Sequence, residues 1–335
     1  MKPTDFGYCL SNYLISYLPG QKNLSPNTIK SYRDTYKLLL SFMKEKYTIS
    51  PERLTIKSFD RNSIDNFLVW LELGRGNSIS TRNQRLAAIH ALFRYIQSEM
   101  PEHLLLCQRV LAMPSKRNER SMVSYLTVDT LQAILSQPDT ATLSGRRDLV
   151  LLSVLYDTGA RVQELIDLIV RDIRLDEPAI IRLTGKGRKI RHVPILKQTV
   201  NLLNQYLQEQ KLLRNDFMFH PVFFNRQHKK LTRAGVSYIL TKYADRAGTS
   251  IKITPHMLRH TKAMHLLQAD VNLVYIRDLL GHAHVKTTEI YARTNPEMKR
   301  KALEKANADT VLPNLPQWQN DKDLISWLQG LCKLK

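Results

Sequence analysis

Through the first hundred residues apolar positions recur every three to four residues, the period of helices that bury one face. In "LSPNTIKSYRDTYKLLLSFM", Ile29, Tyr32, Tyr36, Leu39, Leu40 and Met43 form the apolar stripe, and Lys30, Arg33 and Lys37 fall on other faces. Ser25 suits the N-cap and Pro26 the first helical position, where a missing N–H costs nothing. A second helix is predicted over "DRNSIDNFLVWLELG", stopped by Gly74. A third is predicted over "SISTRNQRLAAIHALFRYIQSEM", with Leu86, Ile89, Leu92, Phe93 and Ile96 as its buried stripe. Residues 1–112 thus read as a small helical domain.

The pattern breaks in "AMPSKRNERSMVSYLT", which has a proline, close-set charges and few apolar anchors. An interdomain linker is expected there, over residues 113–123. Beyond it the periods mix. "SGRRDLVLLSVLYDTGARVQELIDL" predicts a buried helix, a turn at Thr158-Gly159 and a second helix from about Arg161. "DIRL", "AIIRLTG" and "KIRHVPI" are short β-branched runs, with Gly185-Lys186-Gly187 at a hairpin tip. Helical periodicity returns over 196–212, 232–247, 255–268 and 270–280, with a short helix around Tyr291. The expected fold is mainly α with a small antiparallel β-sheet, in two domains, the second spanning residues 124–335. Near its end, Asp321 suits an N-cap, and Leu324, Trp327, Leu328, Leu331 and Leu334 make the stripe of a tail helix.

Charge adds what periodicity does not carry. The 335 residues hold 50 Lys and Arg against 30 Asp and Glu, a formal net charge of +20. Such an excess favours a polyanionic partner, because each neutralised phosphate releases condensed counterions. Cys9, Cys107 and Cys332 are odd in number and share no metal-like spacing, which suits reduced thiols in a cytosolic protein. The N-terminal run is interrupted by polar residues and is no signal peptide. No apolar stretch approaches the roughly 20 residues that a membrane helix needs.

Several groups could carry chemistry. Arg161 follows a glycine turn at a helix start, with Glu164 one turn on. Lys186 sits at the hairpin tip. In "TPHMLRH", Thr254 caps a helix whose first turns carry His256 and Arg259, three apart and on one face. That end of a helix presents free N–H groups to anions. His282 follows the Gly281 stop, and Tyr291 lies nine residues further. Singly each is commonplace: a structural ion pair, a turn, a helix face, a packed aromatic.

In this order, Arg161, Lys186, His256, Arg259, His282 and Tyr291 resemble the tyrosine recombinase (phage integrase) family, particularly its Xer-like branch. The flanking phrases "TGARVQEL", "GKGRKIRHVP", "TPHMLRHT" and "LLGHAHVKTTEIY" are similar as well. His284 departs from the pattern, which more often has a small polar residue there. The helical first domain resembles, more loosely, the family's SAM-like core-binding domain.

The resemblance implies a site-specific recombinase that cuts and rejoins DNA through a covalent 3′-phosphotyrosine. Tyr291 would be the nucleophile. Arg161 and Arg259 would bind the non-bridging oxygens as charge builds on them, and His282 would add a hydrogen bond. Lys186 would protonate the leaving 5′ oxygen. His256 would accept the phenol proton or orient its neighbours, and Glu164 would position Arg161. No metal or other cofactor is expected, because the chain shows no compact carboxylate set for a two-metal site. ATP is not required either, since the phosphotyrosine preserves the phosphodiester's energy.

The expected partners are double-stranded DNA with inverted-repeat core sites and further copies of this chain, four acting on two sites; a second recombinase is a candidate partner. The expected location is the cytoplasm, at the nucleoid. Arg82 and Arg85, near the start of the third helix, are candidate DNA contacts, the alternative being a solvated face. The first domain's helices begin within the first thirty residues, which favours a simple Xer-like or mobile-element recombinase over one with a separate arm-binding domain. Two other functions fit parts of the pattern: a type IB topoisomerase-like nicking–closing enzyme, and a catalytically silent DNA-binding protein.

Overall fold

Side-chain caps set most of the helix starts. The computed structural model describes residues 3–118, 124–281 and 324–331, and the chain divides into two units, residues 1–121 and 122–335. In the first unit, α1 (Asp5–Asn12) continues in the wider π-helical turns of Tyr13–Gln21. The Ser25 hydroxyl then accepts from the Thr28 N–H and opens α2 (Pro26–Tyr47). Asp60 does the same for α3 (Arg61–Val69), accepting from the Ser63 N–H at 2.8 Å. This helix gives way at Trp70 to wider turns, so the α-helical part stops short of the predicted Gly74. Next come α4 (Ile79–Glu99), capped by Ser78, and α5 (Leu104–Leu111).

All five stripe residues of α4, Leu86, Ile89, Leu92, Phe93 and Ile96, are buried. On α2 the burial is rotated slightly: Tyr36, Leu39, Phe42 and Met43 are buried, whereas Ile29, Tyr32 and Leu40 are only partly so. The Tyr36 hydroxyl meets its hydrogen-bond requirement by donating to the Ala88 carbonyl at 2.8 Å, which ties α2 to α4.

The second unit opens with α6 (Val128–Leu135), α7 (Leu143–Thr158) and the short α8 (Val162–Ile166). Three strands follow, β1 (Ile173–Arg174), β2 (Ile180–Thr184) and β3 (Ile190–Pro194), in an antiparallel sheet of that order. The register pairs Ile173 with Ile181 and Leu183 with Arg191. Then come α9 (Lys197–Glu209), α10 (Arg233–Arg246), α11 (Pro255–Gln268) and α12 (Leu273–Leu280). The tail helix is α13 (Leu324–Leu331). The fold is therefore mainly helical with a small antiparallel sheet.

Helix α7 is the pillar of this unit. Val150, Leu151, Leu152, Val154 and Leu155 are all buried, so its apolar surface reaches well round the helix, and it packs against α6, α9 and α11. Among the described residues no helix is long and apolar enough to cross a membrane.

Candidate active site

The site begins where α7 ends. Gly159 has φ 56°, a conformation that strains any residue with a Cβ, and a Cβ there would come within 2.7 Å of the Leu280 side chain. The close turn brings Arg161 to the N-cap of α8. Glu164 closes the cap: its Oε2 accepts from the Arg161 backbone N–H at 2.8 Å, and its Oε1 from Arg161 Nη1 at 2.7 Å. Across the carboxylate, Arg191 of β3 donates through Nη1 to Oε1 at 3.0 Å and through Nη2 to Oε2 at 2.7 Å. Burial pushes the Glu164 carboxyl up. The hydrogen bonds and charge of Arg191, joined by the hydrogen bonds of Arg161, outweigh this and hold it below the usual carboxylate range. A carboxylate only 3% exposed thus stays ionised between two guanidiniums.

The second cation comes from α11. Thr254 accepts from the Met257 N–H at 3.2 Å, Pro255 occupies the first turn, and Arg259 follows one turn on, 2% exposed. Its Nη1 donates to the Gly159 carbonyl at 2.6 Å and its Nη2 to the Leu280 carbonyl. The end of α12 is held by three arginines in succession. Arg191 Nε donates to the Leu279 carbonyl at 2.9 Å, Arg259 to that of Leu280, and Arg161 Nη2 reaches that of Gly281 at 3.4 Å. Cations are stabilised at this end of a helix, where carbonyls lack intrahelical partners. Gly281 itself has φ 64°, and a Cβ would sit 3.0 Å from Arg191 Cδ.

His256 lies at the exposed start of α11, and its ring meets that of His260 edge-on at 4.5 Å. Partial desolvation and the charges of Arg259 and Arg161 hold its pKa below 6.5. Neutral at pH 7, it can accept a proton. His260 is held lower still, at about 4, by burial and by His256 and Arg259. Beneath the site, Lys262 Nζ donates to Asp157 Oδ1 at 3.1 Å while Asp157 Oδ2 accepts from the Leu196 N–H at 3.0 Å. Tyr156 and His265 hydrogen-bond at 2.8 Å, and the far nitrogen of His265 lies 2.9 Å from the Leu126 carbonyl. Together these contacts fasten α7 to α11 and the chain entering the unit.

Of the six residues picked out in the sequence, Arg161, His256 and Arg259 come together here, with Glu164 against Arg161. The hairpin tip is also close. A Cβ on Gly185 would fall 3.0 Å from Glu164 Oε1 and 3.7 Å from Arg161 Nη1, and Lys186 is the next residue in the chain. His282 and Tyr291 lie outside the described residues. Among those residues no cluster of His, Cys, Asp and Glu has the makings of a metal site.

The two arginines of the first unit, the candidate DNA contacts, both have partners within that unit. Arg82 is 5% exposed, with Nε 3.1 Å from Glu72 Oε1 and Nη1 donating to Asn83 Oδ1 at 3.1 Å. Arg85 donates to the Ser31 carbonyl at 3.2 Å and to Thr35 Oγ1 at 2.9 Å. Arg82 thus ties α4 to the preceding helical stretch and is buried, and Arg85, partly buried, ties α4 to α2. Arg191 was not singled out in the sequence at all. Its one signal is position: in β3 it shares the inward-facing alternation with the buried Val193, where a charge needs a partner.

Comparison with known proteins bears on this arrangement. Residues 124–298 match the family model described as "Phage integrase family", and residues 12–100 match "Phage integrase, N-terminal SAM-like domain". The chain belongs to the phage integrase family, the tyrosine recombinases. It is 38% identical over 328 residues to a "Putative integrase/recombinase y4rC" of Sinorhizobium fredii (strain NBRC 101917 / NGR234), covering 96% of this chain and 97% of the relative. It is 34% identical over 280 residues to "Tyrosine recombinase XerD" of Listeria innocua serovar 6a (strain ATCC BAA-680 / CLIP 11262), covering 83% and 91%. Among solved structures, the XerH site-specific recombinase bound to a palindromic difH substrate, a post-cleavage complex, superposes with a TM-score of 0.67 at 25% identity, covering 81% of this chain and 78% of that one.

Proposed function

We propose that this tyrosine recombinase is a site-specific DNA strand-exchange enzyme that breaks one strand by attack of the Tyr291 phenolate, leaving a 3′-phosphotyrosine and a free 5′ hydroxyl. The observation that carries the reading is the convergence of Arg161 and Arg259 on the carbonyls at the end of α12, the point from which the chain runs on to His282, with His256 near enough to feel both charges. A phosphoryl group under attack gains charge on its non-bridging oxygens, and planar guanidiniums match that geometry. His256, whose pKa is held down by desolvation and by Arg259 and Arg161, takes the phenol proton. Lys186, beside Gly185 at the hairpin tip, gives a proton to the departing 5′ oxygen. His282 adds a hydrogen bond to the scissile phosphate. Rejoining is the reverse reaction with a 5′ hydroxyl from the partner strand, so no ATP is consumed.

The palindromic substrate of the XerH complex favours two inverted half-sites per duplex, and membership of the phage integrase family favours self-association on DNA. We therefore assign four protomers to two duplexes. A nicking–closing enzyme of the type IB class would share the chemistry. The helical first domain, matching the phage integrase SAM-like model, favours recombination.

DNA recovered covalently attached to the wild-type protein from cells locates the cleavage site. A duplex of that sequence, nicked beside the site, should then trap the 3′-phosphotyrosine adduct in the presence of EDTA. Tyr291→Phe should bind the same duplex with wild-type affinity and trap nothing. An adduct formed by Tyr291→Phe would remove Tyr291 from the role, and joining of two labelled duplexes separates strand exchange from relaxation alone.

A further inference from the structure

The Arg161 guanidinium must face a phosphate, yet its own carboxylate partner competes for it. Glu164 is 3% exposed and sits on the same short helix, so an ionised Glu164 with a single cation would draw Arg161 fully onto itself. Arg191 changes that balance. It takes both oxygens of Glu164 in a two-pronged contact at 3.0 and 2.7 Å, leaving Arg161 to share the carboxylate through Nη1 and its backbone N–H. The same guanidinium donates to the Leu279 carbonyl at 2.9 Å, and Gly281 leaves just enough space for it, a Cβ there falling 3.0 Å from Arg191 Cδ. Arg191, itself 11% exposed in its side chain, thereby joins β3, α8 and the end of α12 in one unit.

Three further charged side chains on or beside these elements are engaged elsewhere. Arg233 of α10 reaches α8 at Gln163, Arg182 of β2 is paired with Asp172, and Asp278 of α12 is paired with Arg277.

We infer that Arg191 is a positioning residue for DNA cleavage: by occupying Glu164 and the Leu279 carbonyl together, it fixes the Arg161 guanidinium toward the scissile phosphate. It does not itself touch DNA in this arrangement. The inference rests on the proposed strand-cleavage reaction and extends it to a residue outside the six that resemble the family's set.

The test measures adduct formation at saturating nicked duplex, DNA affinity and thermal unfolding for Arg191→Gln, Arg161→Ala and the double variant. Arg191→Gln should bind DNA within about twofold of wild type, while cleaving roughly 10- to 100-fold more slowly, the scale of a misplaced catalytic group. On the Arg161→Ala background the same substitution should add little, about threefold or less, because its effect passes through Arg161. Arg191→Lys keeps a charge without the two-pronged contact and should fall between wild type and Arg191→Gln. If Arg191→Gln does not fold, Arg191→Lys is read in the same cycle.

Wild-type cleavage by a folded Arg191 variant would overturn the assignment, as would losses that simply multiply in the double variant. Failure of the wild-type protein to form any adduct would instead defeat the cleavage reading on which the assignment depends, so the two failures are distinguishable.

Discussion

Arg161 and Arg259 carry the same group into the same site from different surroundings, and that difference is measurable. Arg259 is 2% exposed and bonded to the carbonyls of Gly159 and Leu280, whereas the Arg161 side chain is 36% exposed. Removing Arg259 strands buried carbonyl oxygens, a cost of about 1–3 kcal/mol for each group left unsatisfied. Removing either arginine takes away a donor aimed at the developing charge, worth roughly 10²- to 10³-fold in rate. Arg161→Ala should therefore lose cleavage with the smaller drop in melting temperature, because Arg191 still pairs Glu164, and Arg259→Ala should lose cleavage with the larger drop. Adduct formation and thermal unfolding on the same preparations check this; equal destabilisation by the two would contradict the burial argument. These arginines were legible because each sits near a helix start marked in the sequence, Arg161 behind the Gly159 turn and Arg259 behind the Thr254-Pro255 cap. Arg191 was not, because its partners lie 27 residues away at Glu164 and 88 away at Leu279 and depend on tertiary packing. The pairing of Arg82 with Glu72 was not legible for the same reason: nothing local marks Glu72, on the preceding helical stretch, as its partner.

At the scale of elements, the starts of helices were easier to read than their ends. Ser25, Asp60, Ser78, Thr232 and Thr254 all cap as short polar side chains do, each accepting from a backbone N–H three residues on. The three strands were legible from β-branched runs and the glycine tip between the last two. What the sequence does not disclose is how α7, α8 and α12 meet. Gly159 controls that junction: it is left-handed, and its missing Cβ admits Leu280, which is fully buried. Gly159→Ala should cost about 1–3 kcal/mol, from the left-handed backbone and from overpacking together. It should also slow cleavage, because the Gly159 carbonyl holds Arg259. Denaturant unfolding against wild type reads the first effect and the nicked duplex the second. An unchanged midpoint would show that Leu280 can move aside without cost.

At the scale of the whole molecule, +20 net charge favours a polyanion, but charge alone does not say how many copies act together. The tail bears on that. Helix α13 (Leu324–Leu331) leaves Leu324, Ile325 and Leu328 at 51%, 64% and 48% exposure, a poor outcome for an apolar face in a lone chain. The expected cap Asp321 and the last stripe residue Leu334 lie outside the described residues. An amphipathic helix gains stability only by burying its stripe, so α13 needs a cover. It either folds against its own unit or docks on a neighbouring protomer, and the resemblance to tyrosine recombinases implies the second, in a ring of four on two DNA sites. Deleting residues 321–335 distinguishes the two. Docking between protomers predicts that the truncated protein binds one duplex with wild-type affinity and still forms the Tyr291 adduct, but assembles few four-protomer complexes and exchanges strands slowly. Size-resolved complexes on two labelled duplexes measure this directly. Covering of its own unit predicts instead a lowered melting temperature and weakened single-site binding. A truncated protein that assembled and exchanged strands at the wild-type rate would exclude any contribution of α13 to the ring.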